Sequence, residues 1–212
     1  MKSLDFPRTQ LPSTFHHVGP IRLPLLAEPP LDLPIDPGRP FVFASFGTLQ
    51  GSRFRRFRKI AKACRELGYQ LLVAHCGGLR PHEADRLGAT WVTDFAPQRA
   101  ALARADLLVT HAGVNTVLDA LATDVPMLAL PMAFDQPGMA ARVIHAGVGL
   151  RASCRFATTR CIRTALERLM HERSFRRQAA EIGREVRGAG GARRAAEIIE
   201  HVARTGRRVA AC

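Results

Sequence analysis

The chain has 212 residues, of which 47% are hydrophobic, and this length and composition allow one large globular domain with a buried core. Its longest apolar stretch, Val125 to Phe134, is interrupted by Pro126 and Pro131, which excludes a segment of bilayer-spanning length. No apolar stretch typical of a signal peptide follows Met1, and the 5 cysteines lack paired spacing, so we expect a cytoplasmic protein with free thiols and no metal site.

The net charge of +13 comes almost wholly from arginine, because lysine occurs only at positions 2, 59 and 62. Such an excess fits an anionic partner, whether a nucleic acid, a membrane surface or a nucleotide. It fits equally a general enrichment of arginine on solvated helix faces. The densest group, from Arg53 to Lys62, surrounds its predicted helix instead of forming one stripe. This distribution favours a solvated or membrane-facing helix, and no nucleic-acid partner is expected.

Three segments with different composition predict the domain organisation. Residues 1–40 contain nine prolines, which predicts an interdomain linker or extended arm that follows another domain. Residues 41–190 are predicted to form the main domain, and residues 191–212 a C-terminal helix and tail.

From Phe41 onward, short apolar strands alternate with helical segments. Strands are predicted at Phe41–Phe46, Gln70–His75, Thr90–Val92, Leu107–Thr110, Met127–Leu130 and Val148–Arg151. Helices are predicted at Ser52–Leu67, His82–Leu87, Gln98–Ala103, Val114–Ala122, Pro137–Ala146, Thr158–His171, Phe175–Arg187 and Ala192–Arg204. This alternation predicts an α/β fold, a Rossmann-like doubly wound parallel sheet with helices on both faces.

Two of these strands end in glycine turns. The first strand leads into Ser45-Phe46-Gly47-Thr48, and the fourth leads into His111-Ala-Gly113-Val-Asn115-Thr116. In a doubly wound sheet the first and fourth strands flank the point where ligands bind, so the two turns would face one crevice. A glycine turn that opens a helix can hold a diphosphate, which predicts a nucleotide-sugar site.

The helix after Gly113 has two different faces. Val114, Val117, Leu118 and Leu121 follow helical spacing and are predicted to face the core. Asn115 and Asp119 lie one turn apart on another face, with Asn115 near the positive end of the helix dipole and Asp119 one turn deeper. That arrangement suits phosphate oxygens and ribose hydroxyls. Taken alone, the same pattern fits a capped buried helix equally well.

The segment from Phe95 to Gln136 resembles the UDP-glycosyltransferase superfamily with the GT-B fold. Residues 41–187 are similar to its C-terminal, nucleotide-sugar-binding half. Three further stretches resemble bacterial zeaxanthin (carotenoid) glucosyltransferases: Phe43–Gly51, Ala74–Leu79 and Leu130–Gly138. Phe15–Pro20 and Leu23–Glu28 resemble that family's interdomain connection.

The resemblance implies a role for each site residue. Phe95 would stack on uracil with Gln98 beside the base, and Asp119, where the family usually has Glu, would bind ribose. Around the diphosphate the expected residues are Gly47, Thr48, His111, Gly113, Asn115 and Thr116. Asp135 and Gln136 would hold glucose hydroxyls. The catalytic base of this family is a His in the N-terminal domain, which the resemblance does not cover. We therefore assign no catalytic role to His16, His17 or His75.

The expected function is therefore binding of UDP-glucose as the donor half of an inverting transferase that glucosylates a carotenoid hydroxyl, such as that of zeaxanthin. UDP-glucose is a substrate, and no cofactor is expected. The expected partners are a lipophilic acceptor, reached peripherally at the inner membrane, and a companion N-terminal half. Two alternatives stay open: a UDP-sugar-binding subunit or truncated product without activity of its own, and a basic nucleic-acid-binding domain.

Overall fold

The computed structural model describes residues 2–21 and 28–211. In this part of the chain the strands are β1 (Phe41–Ser45), β2 (Gln70–Ala74), β3 (Trp91–Thr93), β4 (Leu107–Thr110), β5 (Met127–Ala129) and β6 (Gly149–Arg151). The helices are α1 (Gly47–Gln50), α2 (Phe54–Glu66), α3 (Pro81–Asp85), α4 (Gln98–Arg104), α5 (Val114–Ala122), α6 (Gln136–His145), α7 (Thr159–His171), α8 (Arg173–Gly188) and α9 (Gly191–Thr205).

The six strands form one parallel sheet in the order β3-β2-β1-β4-β5-β6. Every residue of β1, β2, β4 and β5 is buried, because helices cover both faces of the sheet. The strand order reverses direction between β1 and β4, which places the expected ligand crevice at their carboxyl ends. The predicted Rossmann-like fold is confirmed.

Two hydrophobic cores lie on opposite faces of the sheet. One contains apolar residues of α4, α5, α6 and α8, and the other contains those of α2 and α7. The central strands contribute to both cores because successive side chains point to opposite faces, as Leu107 and Leu108 do. The crevice edge is therefore supported from both sides by packed helices.

The predicted elements agree closely with the observed ones, with one addition. Helix α1 follows β1 directly and was expected only as a glycine turn. Its 4 residues form a single turn, which is too short to show helical periodicity in a sequence. Strand β1 therefore ends at Ser45, one residue before the predicted end, and Phe46 is the N-cap residue of α1.

The segment before β1 is irregular but packs against the domain. Leu4 is buried in one core, and Leu31, Leu33 and Ile35 pack against the same core. Gln70 of β2 binds this segment, since its side-chain amide donates to the carbonyl oxygens of Asp36 and Arg39 at 2.9 and 3.0 Å. The stretch 23–27, part of the proposed interdomain connection, lies outside the described residues, and the domain boundaries stay a prediction.

Four cysteines, Cys64, Cys76, Cys154 and Cys161, are free thiols, and Cys212 lies outside the described part of the chain. Across residues 2–21 and 28–211, we find no helix with the length and apolar character that crossing a bilayer requires.

Candidate functional site

The loops that carry the predicted site residues leave the sheet at one edge. Ser45 of β1 is in register with Thr110 of β4, and Thr110 is in register with Ala129 of β5. Because the three strands are parallel neighbours, the loops after them begin side by side. The turns with Gly47 and His111 and the loop that leads to Asp135 are therefore neighbours at the carboxyl edge.

The imidazole of His111 lies between the two glycine turns. A Cβ added to Gly47 would lie 3.0 Å from His111 Cε1, and one added to Gly113 would lie 2.5 Å from His111 Nε2. Any side chain at Gly113 would therefore displace the ring. Gly47 also has φ of +68°, a conformation that favours glycine. Gly47 is thus favoured mainly by its backbone conformation, and Gly113 by the imidazole close to its Cα.

Helix α5 begins directly beside this ring. Its N-cap residue is Gly113, and no side chain of the described residues caps it. The first-turn N–H groups and the positive end of the helix dipole therefore point toward the edge where His111 lies. Ala112 has φ of +67°, a strained conformation for alanine that turns the chain from β4 into α5. This geometry forms a corner of the kind that suits an anion.

Burial lowers the pKa of His111 below its ordinary value of 6.5. The Asp135 carboxylate and a hydrogen bond with the Ser45 backbone act in the opposite direction. The ring is therefore neutral near pH 7 in the folded protein. Asp135 is itself exposed, and it lies in the loop after β5, the strand that pairs with β4 before His111.

We expect this lowered pKa to make stability depend on pH. The unfolded chain binds a proton at His111 as the pH falls through 6.5, whereas the folded chain resists it until a lower pH. Stability should therefore be lost as the pH falls through about 6.5, and His111→Gln should lose less over the same change in pH. Urea unfolding of both proteins at each pH measures the difference. The pKa of His17 is also lowered, but both proteins keep His17, so its contribution cancels in the comparison. An equal loss in the two proteins would contradict the expectation.

A second polar group connects α4 with α5. Gln98 Nε2 donates to the Asp119 carboxylate at 2.6 Å, and Thr116 Oγ1 donates to Gln98 Oε1 at 3.3 Å. Asp119 and Thr116 are each only 8% exposed, so the group is largely enclosed by the protein. The structure thus brings together the residues assigned to the base and the ribose.

Gln136 has a structural contact that its sequence position did not predict. Its side-chain carbonyl oxygen accepts hydrogen bonds from the backbone N–H groups of Met132 and Ala133, both at 2.9 Å. The side chain is 4% exposed and shapes the loop between β5 and α6. A role toward a sugar would therefore fall to its amide nitrogen.

Phe95 is 76% exposed. The turn that carries it is held by buried His75, whose Nε2 lies 2.9 Å from Asp94 Oδ1 and whose Nδ1 accepts the Leu79 N–H at 3.1 Å. Sequence reasoning identified Phe95 but missed this support, because the partners come from two separate loops. Both ring nitrogens of His75 are engaged, so it acts as a structural residue.

Two predicted residues lie at the surface of the same corner. Thr48 is exposed on α1, next to Gly47, and Asn115 is exposed in the first turn of α5. The binding roles of all the predicted residues stay predictions.

A family model described as "UDP-glucoronosyl and UDP-glucosyl transferase" matches residues 3–186. The chain belongs to this family. It is 46% identical to zeaxanthin glucosyltransferase of Pantoea ananas over 97% of this chain and 48% of that protein. It is 45% identical to zeaxanthin glucosyltransferase of Pseudescherichia vulneris, over 93% of this chain and 48% of that one. The family membership predicted from the sequence is confirmed.

Solved structures of GT-B glycosyltransferases share the fold. The kitacinnamycin glycosyltransferase superposes with a TM-score of 0.79 at 26% identity, over 88% of this chain and 49% of that one. The calicheamicin glycosyltransferase CalG4 superposes with a TM-score of 0.76 at 28% identity, over 91% of this chain and 49% of that one. The chain thus spans about half the length of the relatives it matches.

Proposed function

We propose that this UDP-glycosyltransferase chain binds UDP-glucose and forms the donor half of an inverting glycosyltransferase. The observation that carries the proposal is the His111 imidazole between Gly47 and Gly113 at the start of α5. A helix N-terminus beside an imidazole suits a diphosphate. Membership of a family described by UDP-sugar transfer supports the nucleotide.

In this proposal each group holds one part of the donor. The uracil stacks on exposed Phe95 beside Gln98, and the ribose hydroxyls bind Asp119. The glucose hydroxyls bind Asp135 and the amide nitrogen of Gln136. The diphosphate lies among the residues of the two turns and the α5 N-terminus, namely Gly47, Thr48, His111, Gly113, Asn115 and Thr116.

The proposed chemistry is a displacement at the anomeric carbon of glucose. The acceptor hydroxyl oxygen forms a bond to that carbon as the bond to the diphosphate breaks, and UDP leaves with the bonding electron pair. The acceptor proton goes to a base in the part of the enzyme that this chain does not span. An approaching diphosphate raises the pKa of His111, so the imidazole can carry a proton while negative charge develops on UDP. The helix N-terminus stabilises the same charge, and the scheme uses no cofactor.

The acceptor we propose is a carotenoid hydroxyl, such as that of zeaxanthin. Support comes from two relatives named zeaxanthin glucosyltransferase, at 46% and 45% identity. A carotenoid dissolves in lipid, so the enzyme must meet it at a membrane. We therefore propose that the protein acts peripherally at the membrane surface.

Truncation of Phe95 tests the donor site. We expect Phe95→Ala to weaken UDP binding by about 5- to 150-fold, because stacking of a base on an aromatic ring contributes about 1–3 kcal/mol. Titration calorimetry with UDP measures the change. Phe156→Ala is the matched control, since Phe156 is also exposed, at 73%, and lies in the loop after β6. Equal affinities of the wild type and Phe95→Ala would contradict the proposed position of the uracil.

A second experiment measures whether this chain transfers glucose without the other half of the enzyme. We expect the chain alone to bind UDP-glucose but to transfer negligible glucose to zeaxanthin, because the base lies in the other half. Product analysis after incubation with both substrates, beside a separate measurement of donor binding, distinguishes the steps. Rapid transfer by this chain alone would contradict the proposal.

A further inference from the structure

A second cavity, outside the corner around His111, is lined by four arginines. The arginine pocket consists of Arg53, Arg56, Arg151 and Arg155, with Pro131, Met132, Ser153 and Cys154, and it has a volume of about 280 Å³. Its residues come from the start of α2, the loop after β5, the end of β6 and the loop after β6. Four arginines that line one small cavity give it a positive potential.

The charges of this pocket are not neutralised by the described residues. Arg56, Arg151 and Arg155 form no ion pair with any carboxylate of residues 2–21 and 28–211. Elsewhere on the molecule, Arg142, Arg168 and Arg187 lie 2.7–2.9 Å from carboxylates. The pocket therefore differs from these paired arginines, and it differs from single unpaired arginines such as Arg173 because four arginines line one cavity.

Neighbouring contacts hold the two sides of the pocket in place. Arg53 donates from Nε and Nη2 to Gln50 Oε1 at 3.0 and 2.8 Å, and Gln50 is only 8% exposed. Lys59 of α2 donates to the carbonyl oxygen of Ala157 at 2.7 Å, which ties α2 to the loop after β6. The arginines on both sides are thus presented by connected elements.

The start of α2 violates the usual charge pattern of a helix. Arg53 is its N-cap residue, Arg55 and Arg56 follow in the first turn, and no acidic residue or side-chain cap is present there. Cations at this end oppose the positive end of the helix dipole. A local cost of this kind is expected where function requires it, and a bound anion would remove it.

An exposed aromatic ring stands beside the pocket. Phe156 is 73% exposed, and the guanidinium carbon of Arg155 lies 5.4 Å from its ring centroid. Arginine next to a protruding aromatic ring suits the boundary between lipid headgroups and acyl chains. We propose that the arginine pocket binds the phosphates of anionic phospholipids while Phe156 enters the membrane boundary. This inference deepens the proposed function and rests on it in one respect, because the lipid-soluble acceptor is what requires the protein to bind a membrane.

Vesicle binding by the full chain tests the pocket. We expect vesicles that contain phosphatidylglycerol, but not pure phosphatidylcholine vesicles, to sediment the protein in a salt-sensitive manner. Combining Arg56→Gln, Arg151→Gln and Arg155→Gln should weaken this binding about 100-fold, since each arginine near an anionic surface contributes about fivefold. The matched control combines Arg173→Gln, Arg177→Gln and Arg184→Gln, which removes the same charge from exposed positions of α8. Its loss should stay within about fivefold.

Two further measurements distinguish a lipid headgroup from a soluble phosphate, and the membrane proposal from the proposed UDP site. Phe156→Ser should weaken vesicle binding but leave binding of soluble glycerol 1-phosphate unchanged. Equal losses in the two triple variants, or vesicle binding insensitive to Phe156, would overturn the proposal. UDP titration and thermal melting of each variant check the donor site and the fold. A wild type that binds vesicles but not UDP would contradict only the proposed function.

Discussion

Gly113→Ala is expected to weaken UDP binding about 100-fold, a loss of about 3 kcal/mol from charge-assisted hydrogen bonds to the diphosphate. The new Cβ would lie 2.5 Å from His111 Nε2 and 2.9 Å from Cε1, so the imidazole must leave its place between the turns. The backbone at Gly113 has φ of −65° and ψ of 137°, which alanine adopts readily. The substitution therefore acts through the ring and not through backbone strain. Titration calorimetry with UDP measures it.

A matched control exists in α8. A Cβ added to Gly188 meets no heavy atom within 4 Å, so Gly188→Ala adds the same methyl group without a collision. We expect the UDP affinity of that variant to equal that of the wild type. If Gly113→Ala also bound UDP normally while remaining folded, His111 would not contact the diphosphate.

Leu108→Ala is expected to lower the free energy of unfolding by about 3–4 kcal/mol. Leu108 lies in β4 at the middle of the sheet, is fully buried and packs in the core beneath α5. Removal of its side chain would leave a cavity that a central strand with a neighbour on each side cannot collapse to fill. Urea unfolding followed by circular dichroism measures the change.

The control for that experiment is Leu49→Ala on α1. Leu49 is 78% exposed, so its truncation should change stability by less than about 0.5 kcal/mol. A small effect at Leu108 would mean that β4 is not the central strand of a close-packed sheet.

Most of the fold could be predicted because each strand is a short apolar segment between turn residues. The bounds predicted for β4 and α5 agree with the structure, since Thr110 and Gly113 mark where the strand stops and the helix starts. Parallel strands buried on both faces produce such uninterrupted apolar segments. Helix α1 escaped because a single turn carries no periodic signal.

The residue types of the site could also be predicted, but their contacts could not. Glycines at 47 and 113 are visible in the sequence, whereas the imidazole between them depends on two loops meeting. The hydrogen bond between Gln98 and Asp119 likewise joins residues 21 positions apart, on two different helices. Spacing along the chain contains no information about such encounters, which arise only when the sheet places its loops together.

The arginine pocket illustrates the same limit. The arginines of α2 were visible as a dense basic helix without a single stripe. Arg151 ends β6 and Arg155 lies in the loop after it, about 95 residues further along the chain than the arginines of α2. Helix α7 packs against α2, and Lys59 of α2 bonds the loop after β6, so the fold brings the two groups to one cavity. A charge pattern that is dispersed in sequence is therefore concentrated in space.

A crystal structure of the chain with UDP tests the central claim most directly. We expect the diphosphate within hydrogen-bonding distance of His111 and the first-turn N–H groups of α5, with the uracil on the ring of Phe95. A diphosphate bound among the four guanidinium groups of the arginine pocket, with the corner at His111 empty, would contradict the account.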